Sequence, residues 1–556
     1  MPQDAFTLRH IKNALSKKLT GGKISKINQP DKNEISLFIY TEKGTLKLEI
    51  CTSAKNNRVN LARDEKTNPK VAPAFCMLLR KHLQNAEILA VEQVGFERII
   101  YFDLKCFSEF SVTTLRLYCE IMGKYSNVVL TENGVILGAL KCTSLETNMK
   151  RVLFPGAKYT LPDPQDKVDP SNLAELEKLF ERKVGDVADF IADNVAGIAY
   201  TTALEIAQKY GENLTAKELY NYIFSDETSP CITLDDNGFC DFKVRSESER
   251  KLEFDDLLTA QTEFYSVVQK NQNFSALKTK LSGAINSAIK KTEKRLAGIL
   301  EKERECEKAD EIKLWAELIT ANIYLIERGD RECNVINYYD ENQPTIKIRL
   351  DERLTPAQNA QKYYKKYGKL KRTQDNLTVQ KAQTEEIAFY YNSIKSSIDL
   401  AETSDDLVGV QDELISLGLV KDTQEKGKKQ KQIKTPFRTF EIDGFRVEVG
   451  RNNTQNDELV RGASANDLWL HAKKYHSAHA IIYCDGKSVG VDTIVKCAEI
   501  CAFYSLGRSA SKVAVDYTLK KYVKKPPKSN AGFVIYSEYK TVLVSPNAHT
   551  ELKKED

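Results

Sequence analysis

The stretch "DLWLHAKKYHSAH", residues 467–479, holds three of the six histidines of the chain and one of its two tryptophans. Leu468 and Leu470 alternate with Trp469 and His471, and this alternation predicts a β-strand with two distinct faces. One face is expected to enter a core, while the other presents the indole and imidazole rings beside two lysines. A packed tryptophan next to a hydrogen-bonded histidine is an alternative that the residues leave open.

The flanking sequence extends this strand into a mixed α/β domain. "FRTFEIDGFRVEVG" (437–450) predicts a hairpin that turns at Asp443-Gly444, and "FVIYSEYKTVLVSP" (533–546) closes the region with further strands. Upstream, "KDTQEKGKKQKQIKTP" (421–436) has six lysines, two acids and no apolar period, which predicts a solvated basic linker.

The middle of the chain has helical periodicity. Apolar residues such as Leu281, Ile285 and Ile289 recur every three or four positions, and a second stripe includes Ile394 and Ile398. The two stripes are separated by further apolar segments, among them a strand pair, "VINYY" and "TIKIRL". This pattern predicts a long antiparallel coiled coil with a structured insert, in which Trp315 is a core residue.

The N-terminal half alternates strand and helix patterns. "ISLFIY" and "TLKLEI" flank a turn, "NVVLTENGVILGAL" (127–140) turns at Asn133-Gly134, and "AFCMLLRKHL" (74–83) predicts an amphipathic helix. Short helices follow, and Gly197 lies between two of them. That glycine suits a helix-hairpin-helix whose turn exposes N–H groups to phosphate, although any tight helical turn also favours glycine.

The predicted fold class is therefore multidomain α+β. It comprises an α/β N-terminal domain (1–170), a small helical helix-hairpin-helix domain (171–245), a long antiparallel coiled-coil arm with a structured insert (255–420), the basic linker (421–436) and an α/β C-terminal domain (437–556).

Bulk properties predict a soluble cytoplasmic protein. The chain has 556 residues, 82 Lys+Arg against 78 Asp+Glu, and a net charge of +4. The beginning "MPQDAFTLRH" has no secretory signal pattern, and no run of about 18 apolar residues occurs. The twelve cysteines form no CxxC pair, so reduced thiols are expected.

Common catalytic motifs are missing from the sequence. His476 and His479 could share a helix face, but no HExxH motif and no neighbouring Cys or carboxylate pair completes a metal site. Neither GxxxxGK[ST] nor GxGxxG occurs, and no Ser or Cys stands out as an activated nucleophile. We therefore expect no metal, no cofactor and no self-contained enzyme.

Three basic stretches with interleaved aromatic residues favour nucleic-acid binding. "QKYYKKYGKLKR" (361–372) has six Lys/Arg and three tyrosines, "LKKYVKKPPK" (519–528) contributes Lys520, and "FYSLGRSASK" (503–512) contributes Tyr504 and Arg508. Each stretch alone is more often a solvated helix face. Together they favour single-stranded or looped RNA, because lysine and arginine neutralise phosphates and aromatic rings stack on bases.

Ordered motifs along nearly the whole chain resemble one known family. "DLWLHAK", with the residues around it and "VDYTLKKYVKKP" (515–526), resembles the NFACT-R domain, whereas "GFERIIYF" (95–102) and "EIMGKYSNVVL" (120–130) resemble the NFACT-N domain. "RLTPAQNAQKYYKKYGKLK" (353–371) is similar to the junction between strand and coiled coil. The chain thus resembles the bacterial RqcH family, which is related to eukaryotic NEMF and was long described as fibronectin-binding.

The resemblance implies a ribosome quality control factor. Such a protein binds a large ribosomal subunit obstructed by peptidyl-tRNA and contacts ribosomal RNA, with no membrane partner and as a monomer on the ribosome. It recruits alanyl-tRNA for mRNA-independent addition of a C-terminal alanine tail. The ribosome forms the peptide bonds, so the factor itself is expected not to be an enzyme.

The resemblance also assigns site residues. Those of the N-terminal domain belong to a surface near the tRNA or peptidyl-tRNA end: Asp4, Glu97, Arg98, Glu120, Met122, Lys124 and Asn127. Those of the C-terminal domain belong to an RNA-binding surface: Arg461, Asp467, Trp469, His471, Lys473 and His479.

Two departures from the family pattern stand out. Glu97 replaces the usual aspartate before Arg98, and "KYHSAH" lacks the usual Pro-Gly loop. Two other functions stay open as alternatives. One is a fibronectin-binding adhesin. The other is a DNA glycosylase/lyase that uses Pro2 as an N-terminal amine, for which Gln3 is a poor proton donor.

Overall fold

A nine-stranded antiparallel sheet dominates the first half of the chain in the computed structural model. The structure describes residues 3–63, 66–107, 112–143, 151–163, 165–236, 238–421 and 435–554. The chain divides into two units, Met1–Asn271 and Gln272–Asp556. The finer domain boundaries given above stay predictions.

The strands of the large sheet follow the order β4-β3-β2-β1-β5-β6-β7-β8-β9, and their paired neighbours run antiparallel. They are β1 (Lys23–Asp31), β2 (Glu34–Thr41), β3 (Gly44–Cys51), β4 (Arg58–Leu61), β5 (Glu87–Gln93), β6 (Ile99–Phe107), β7 (Val112–Glu120), β8 (Asn127–Glu132) and β9 (Val135–Ala139). The predicted hairpin at Asn133-Gly134 is confirmed, because both residues have positive φ angles, 48° and 78°.

Two helices accompany this sheet, α1 (Ala5–Leu19) and α2 (Ala74–Leu83). The apolar side of α1 repeats every three or four residues and is buried in the same core as the inward-facing strand residues. Its buried members include Leu8, Ile11 and Leu15. The bounds of α2 agree with the prediction.

Four short helices follow, α3 (Leu173–Phe180), α4 (Val187–Asn194), α5 (Tyr200–Tyr210) and α6 (Ala216–Phe224). Gly197 lies between α4 and α5 with a φ angle of +75°, and a Cβ there would stand 2.7 Å from atoms of both Ala5 and Phe96. Backbone conformation and close packing therefore both require glycine.

The sequence did not predict a small three-stranded sheet at the end of this unit. It consists of β10 (Cys231–Asp235), β11 (Gly238–Lys243) and β12 (Lys251–Glu253). The small helical domain predicted for 171–245 therefore also contains two strands, β10 and β11. The strands are short, and apolar Ile232 and Phe242 alone give too little periodicity to identify them.

The predicted antiparallel arm is confirmed by two long helices. Helices α7 (Leu257–Cys306) and α9 (Pro356–Asp399) share apolar clusters, and Glu303 Oε2 accepts from Lys381 Nζ at 2.8 Å. A 44-residue helix such as α9 is about 66 Å long at a rise of about 1.5 Å per residue. Helix α10 (Ser404–Ser416) packs against its C-terminal end.

The insert of the arm contains helix α8 (Ala309–Ala321) and a hairpin of β13 (Glu332–Ile336) and β14 (Thr345–Arg349). Trp315 packs against its core, as predicted. The first strand lies earlier in the chain than "VINYY", because the chain turns at Asn337, whose Oδ1 accepts from Tyr339 N.

The C-terminal region contains a six-stranded sheet in the order β15-β16-β18-β17-β19-β22, and β20 pairs with β21. The elements are β15 (Arg438–Ile442), β16 (Phe445–Val449), α11 (Asn453–Gly462), β17 (Leu468–Ala472), β18 (Ala480–Ile482), α12 (Val491–Phe503), β19 (Val513–Leu519), β20 (Val523–Lys524), β21 (Ile535–Tyr536) and β22 (Lys540–Val544). The hairpin at Asp443-Gly444 is confirmed, whereas most of the basic linker lies outside the described residues.

Strand β17 exists as predicted, but apolar residues cover both of its faces. Leu470 belongs to the core that contains α12, and Trp469 belongs to a second cluster with Leu459 of α11 and Val523. The expectation that one face presents the indole at the surface is therefore wrong, and the packed alternative holds for Trp469. No helix among the described residues is long and apolar enough to cross a bilayer.

Candidate nucleic-acid interface

Asp4 fixes the start of the N-terminal site. It is buried as the N-cap of α1, where Oδ1 accepts from Thr7 N at 2.8 Å. Its second oxygen, Oδ2, accepts from Ala199 N at 3.0 Å. Since Ala5 N also donates to Gly197 O, the carboxylate joins α1 to the glycine turn between α4 and α5. Asp4 is thus a buried residue that holds the backbone of the site in place.

The turn before β6 carries Glu97 and Arg98 next to this junction. Gln93 Nε2 donates to the backbone oxygens of both Ala5 and Glu97, at 3.1 and 2.8 Å. Arg98 O accepts from Ile121 N at 2.8 Å. These hydrogen bonds to backbone oxygens therefore join the motifs "QDAF", "GFERI" and "EIMGKYSN", which are far apart in sequence, at one edge of the sheet.

The side chains of Glu97 and Arg98 are half-buried and therefore available to a ligand. Burial raises the pKa of the Glu97 carboxyl, which Arg98 opposes and Asp169 reinforces. No hydrogen bond or ion pair engages the Arg98 guanidinium within the part of the chain that the structure describes. A planar guanidinium of this kind can bind phosphate in a bidentate manner.

The motif "EIMGKYSN" divides into supporting and exposed residues. Glu120 is fully buried, and its carboxylate accepts from Arg151 at 2.6 and 3.0 Å and from Tyr159 Oη at 2.8 Å. Asn127 is also buried and bonds the backbone of Lys141 through both amide atoms.

The exposed part of the same motif faces solvent. Met122 is half-buried, and Lys124 is exposed with its ammonium 4.9 Å from the ring of Tyr125. The ring is itself exposed. A cation and an aromatic face thus lie on the turn that Arg98 O anchors through Ile121.

Three aromatic side chains of the opening stretch form one group in the C-terminal domain. The rings of Trp469 and His471 are parallel, with centroids 5.7 Å apart, and His479 meets both rings edge-on at 5.3 Å. Burial lowers the pKa of His471 to about 4, with His476 contributing, and burial also lowers the pKa of His479 well below its ordinary value. Both imidazoles are therefore neutral near pH 7.

Asp467 is a buried structural residue. Its Oδ2 accepts from Ser464 N at 2.7 Å, and Oδ1 accepts from Cys484 N at 3.0 Å. Its backbone oxygen accepts from Lys520 N at 2.8 Å, which fixes the start of the segment 520–524.

The predicted cationic side chains of this domain differ in their exposure and in the partners that they already contact. Arg461 is exposed at the end of α11, and Lys520 is half-buried. Lys473 lies 3.6 Å from the Asp516 carboxylate and 4.9 Å from the Tyr539 ring centre. Arg508 pairs with Glu402 at 2.7 Å and stacks on Phe503. Since exposed ion pairs such as Arg508–Glu402 are weak, an arriving phosphate can compete for Arg508.

Tyr504 is buried and is not available for stacking on a base. The guanidinium of Arg438 lies 4.2 Å above its ring, and burial raises the pKa of its hydroxyl. The stretch 361–372 lies on α9, and all six of its lysines and arginines are exposed. One of them, Lys362, is paired with Asp351.

Sequence reasoning missed the residues that hold the site together. Arg151 and Tyr159, which clamp Glu120, lie 31 and 39 residues from it. Asn456, whose Oδ1 accepts from His479 N, lies on helix α11, 23 residues before it. The adjacent Lys124 and Tyr125 were a sequence signal for a cation beside an aromatic ring, and the structure shows both side chains exposed.

The site of the glycosylase alternative is only partly described. Pro2 lies outside the described residues. Gln3 is buried, with its Oε1 accepting from Val59 N at 3.4 Å. Among the described residues, no group of three or more His, Cys, Asp or Glu side chains is arranged to hold a metal ion.

Comparisons with known proteins agree with this architecture. Residues 4–433 match the family model described as NFACT N-terminal and middle domains, and residues 435–535 match the NFACT protein RNA binding domain. Together with the sheet and the arm, these matches define a multidomain NFACT protein with an RNA-binding module.

Similar full-length proteins narrow this class. "Rqc2 homolog RqcH" of Bacillus subtilis (strain 168) is 33% identical over 577 aligned positions, covering 100% of this chain and 99% of that protein. The protein of the same name from Streptococcus suis (strain 05ZYH33) is 30% identical, with 98% of each chain covered. The chain belongs to the RqcH family, as its motifs had indicated.

One solved structure is similar over the first half of the chain. The N-terminal part of the fibronectin/fibrinogen-binding protein from Streptococcus suis has 30% sequence identity and a TM-score of 0.43. The match covers 47% of this chain and 98% of that one.

Proposed function

We propose that the chain is a ribosome quality control factor of the cytoplasm. It binds large ribosomal subunits obstructed by peptidyl-tRNA and recruits tRNA, chiefly alanyl-tRNA, for mRNA-independent alanine tailing of the stalled chain. The observation that carries this proposal is the match of almost the whole chain, in domain order, to proteins named as RqcH.

The geometry of the first unit supports a positioning role. Asp4 and Glu120 are buried and hydrogen-bonded, so they fix the backbone of the motifs that display Arg98 and Lys124. A guanidinium and an ammonium held on a rigid sheet edge suit the phosphates near a tRNA end. Such side chains orient a substrate without supplying a nucleophile.

The second unit supports RNA binding at separate places. Its C-terminal domain matches an RNA-binding family model, and α9 exposes a run of lysines with no acid among them. The ribosome would catalyse peptide-bond formation, so in this proposal the chain is not an enzyme and acts as a monomer on the particle.

Affinity purification from stalled cells, with sequencing of bound RNA, tests the proposal. We expect large-subunit ribosomal RNA and a narrow set of tRNAs, enriched in alanine tRNA. A sample that contains ordinary mRNA, or no ribosomal RNA, would contradict the proposal. A parallel assay for the protein on intact cells tests the adhesin alternative, which requires surface exposure.

A further inference from the structure

A large cavity lies within the second unit, between the C-terminal part of α9 and the C-terminal sheet domain. Its volume is about 770 Å³. Ligand pockets in proteins commonly span about 300–1,000 Å³, so this cavity is large enough for a small organic group. The functional roles assigned above to the exposed cations do not use it.

Aromatic rings form one wall of the cavity. Trp469, His471, His479 and Tyr536 all line it, and the Tyr536 ring lies 4.8 Å from that of Trp469. Tyr536 is itself held in place, since its hydroxyl donates to Asp516 Oδ2 at 2.9 Å. The wall is therefore aromatic, and the hydrogen bond of Tyr536 fixes one of its rings in place.

Two buried polar atoms in this wall have no partner. Neither Trp469 Nε1 nor His479 Nδ1 makes a hydrogen bond with any residue that the structure describes. Buried polar groups are nearly always hydrogen-bonded in folded proteins, and each exception calls for a structural or functional explanation. An indole donor and an imidazole nitrogen thus lie unpaired in two buried residues that line the cavity.

The rim of the cavity combines exposed rings with a cation. Phe389 of α9 is 55% exposed and Phe533 is 41% exposed, and both line the cavity. Lys528, on the loop between β20 and β21, is exposed at the same opening. Exposed rings around an apolar cavity are typical of a site for a flat ligand, and the ammonium suits a phosphate attached to it.

We propose that this cavity receives one unstacked nucleobase of a bound RNA strand. The inference rests on the proposed function, because RNA is taken as the partner, and the domain around the cavity, 435–535, matches an RNA-binding family model. Base edges carry both donors and acceptors, which complement the indole N–H and the imidazole nitrogen. The two neutral imidazoles favour a neutral base over a phosphate in the interior.

The two tryptophans of the chain allow a direct test. In the full-length Trp315→Phe variant, Trp469 is the only tryptophan, so its fluorescence reports on the cavity wall. The probes are a single-stranded RNA of about ten nucleotides and the matching strand without bases. We expect the complete strand to quench Trp469 and to bind about five- to hundredfold more tightly than the abasic strand.

Rim variants complete the test. Phe389→Ala/Phe533→Ala should remove the quenching and most of the preference for the complete strand, and both residues are exposed, so folding should persist. Leu543→Ala, at an exposed position of β22, is the matched control and should behave like the parent.

The outcomes separate this inference from the proposed function. Equal binding of both strands, or quenching that survives in the rim variant, would overturn the nucleobase site while leaving ribosome association intact. Quenching by an acidic peptide but not by RNA would also overturn it. Absence of binding to either strand, together with purified samples free of ribosomal RNA, would reject both proposals.

Discussion

The guanidinium of Arg151 holds the carboxylate of Glu120 in a bidentate ion pair, with Nη2–Oε1 and Nη1–Oε2 distances of 2.6 and 3.0 Å. Glu120 is completely buried, and Tyr159 donates to the same carboxylate. A motif expected to face a tRNA therefore contains one acid that holds the sheet edge in shape.

Loss of the Glu120 charge should destabilise the first unit. Glu120→Gln leaves a largely buried guanidinium without its counter-charge, and breaking a buried pair in this way costs about 3–5 kcal/mol. Urea unfolding measures the change. Glu42→Gln, on the exposed turn between β2 and β3, is the control and should shift stability by less than about 0.5 kcal/mol. Identical midpoints for the two variants would show that the pair is unimportant.

Acid should destabilise the second unit through His471. Its pKa falls from about 6.5 to about 4 on folding, so the folded state binds fewer protons than the unfolded state. Stability is therefore complete above about pH 6.5 and is lost as the pH falls towards about 4, by about 1–3 kcal/mol.

Urea unfolding followed by Trp469 fluorescence in Trp315→Phe measures this dependence. His471→Gln should flatten the curve between about pH 6.5 and pH 4. His549→Gln is the control, because the pKa of His549 shifts in the opposite direction. Burial lowers this pKa, but hydrogen bonds to Glu499 and Glu551 raise it overall. The contribution of His549 is present below about pH 6.5 and is lost as the pH rises through its folded pKa. An unchanged slope in His471→Gln would refute the assignment.

Neutralising the basic stretch on α9 should weaken ribosome binding in a salt-dependent way. For every phosphate that the protein no longer neutralises, the slope of log affinity against log salt becomes shallower by about 0.7–0.9. Lys365→Gln/Lys369→Gln removes two exposed charges. Lys294→Gln/Lys302→Gln removes two exposed charges of α7, where acids are interspersed. Cosedimentation over a salt series should give a shallower slope for the α9 variant than for the α7 variant. If the α9 variant instead keeps the slope of the parent and of the α7 variant, α9 binds no phosphates.

The Glu97-Arg98 turn should be needed for tailing and not for association. Glu97→Ala/Arg98→Ala is expected to abolish tail synthesis in a reconstituted system, because the variant has neither the phosphate-binding guanidinium nor its neighbouring acid. Arg98→Lys should recover only part of the activity, since an ammonium lacks the planar fork. Glu97→Asp should remain active. Equal tailing by the double variant would reject the assignment.

Local signals made much of the fold predictable. Asn133-Gly134 and Asp443-Gly444 both adopt the positive φ angles that two-residue hairpins require. The apolar period of 74–83 also predicted the bounds of α2 correctly. Each of these features depends on residues that are adjacent in sequence, so a short window contains all the information.

The environment of Trp469 could not be predicted in the same way. Whether its face of β17 meets solvent depends on Leu459 and Val523, which other elements bring to it. Alternation shows that a strand has two faces, and it cannot show what covers each one.

The roles of individual residues in the N-terminal site could be predicted only in part, for a similar reason. The motifs assign Asp4 and Arg98 to one surface, but only the structure shows that Asp4 accepts a hydrogen bond from Ala199 N. Buried polar residues are recognised through partners that are distant in sequence. The motif alone therefore does not separate supporting residues from those that face a ligand.

The most direct test combines sedimentation with protection of tRNA. Full-length protein is mixed with large subunits that carry peptidyl-tRNA, at moderate ionic strength, and the pelleted particles are probed with nuclease. We expect the protein to pellet with the particles and to protect a second tRNA from cleavage. Protein that stays in the supernatant, with no tRNA protected, would contradict its function in ribosome quality control.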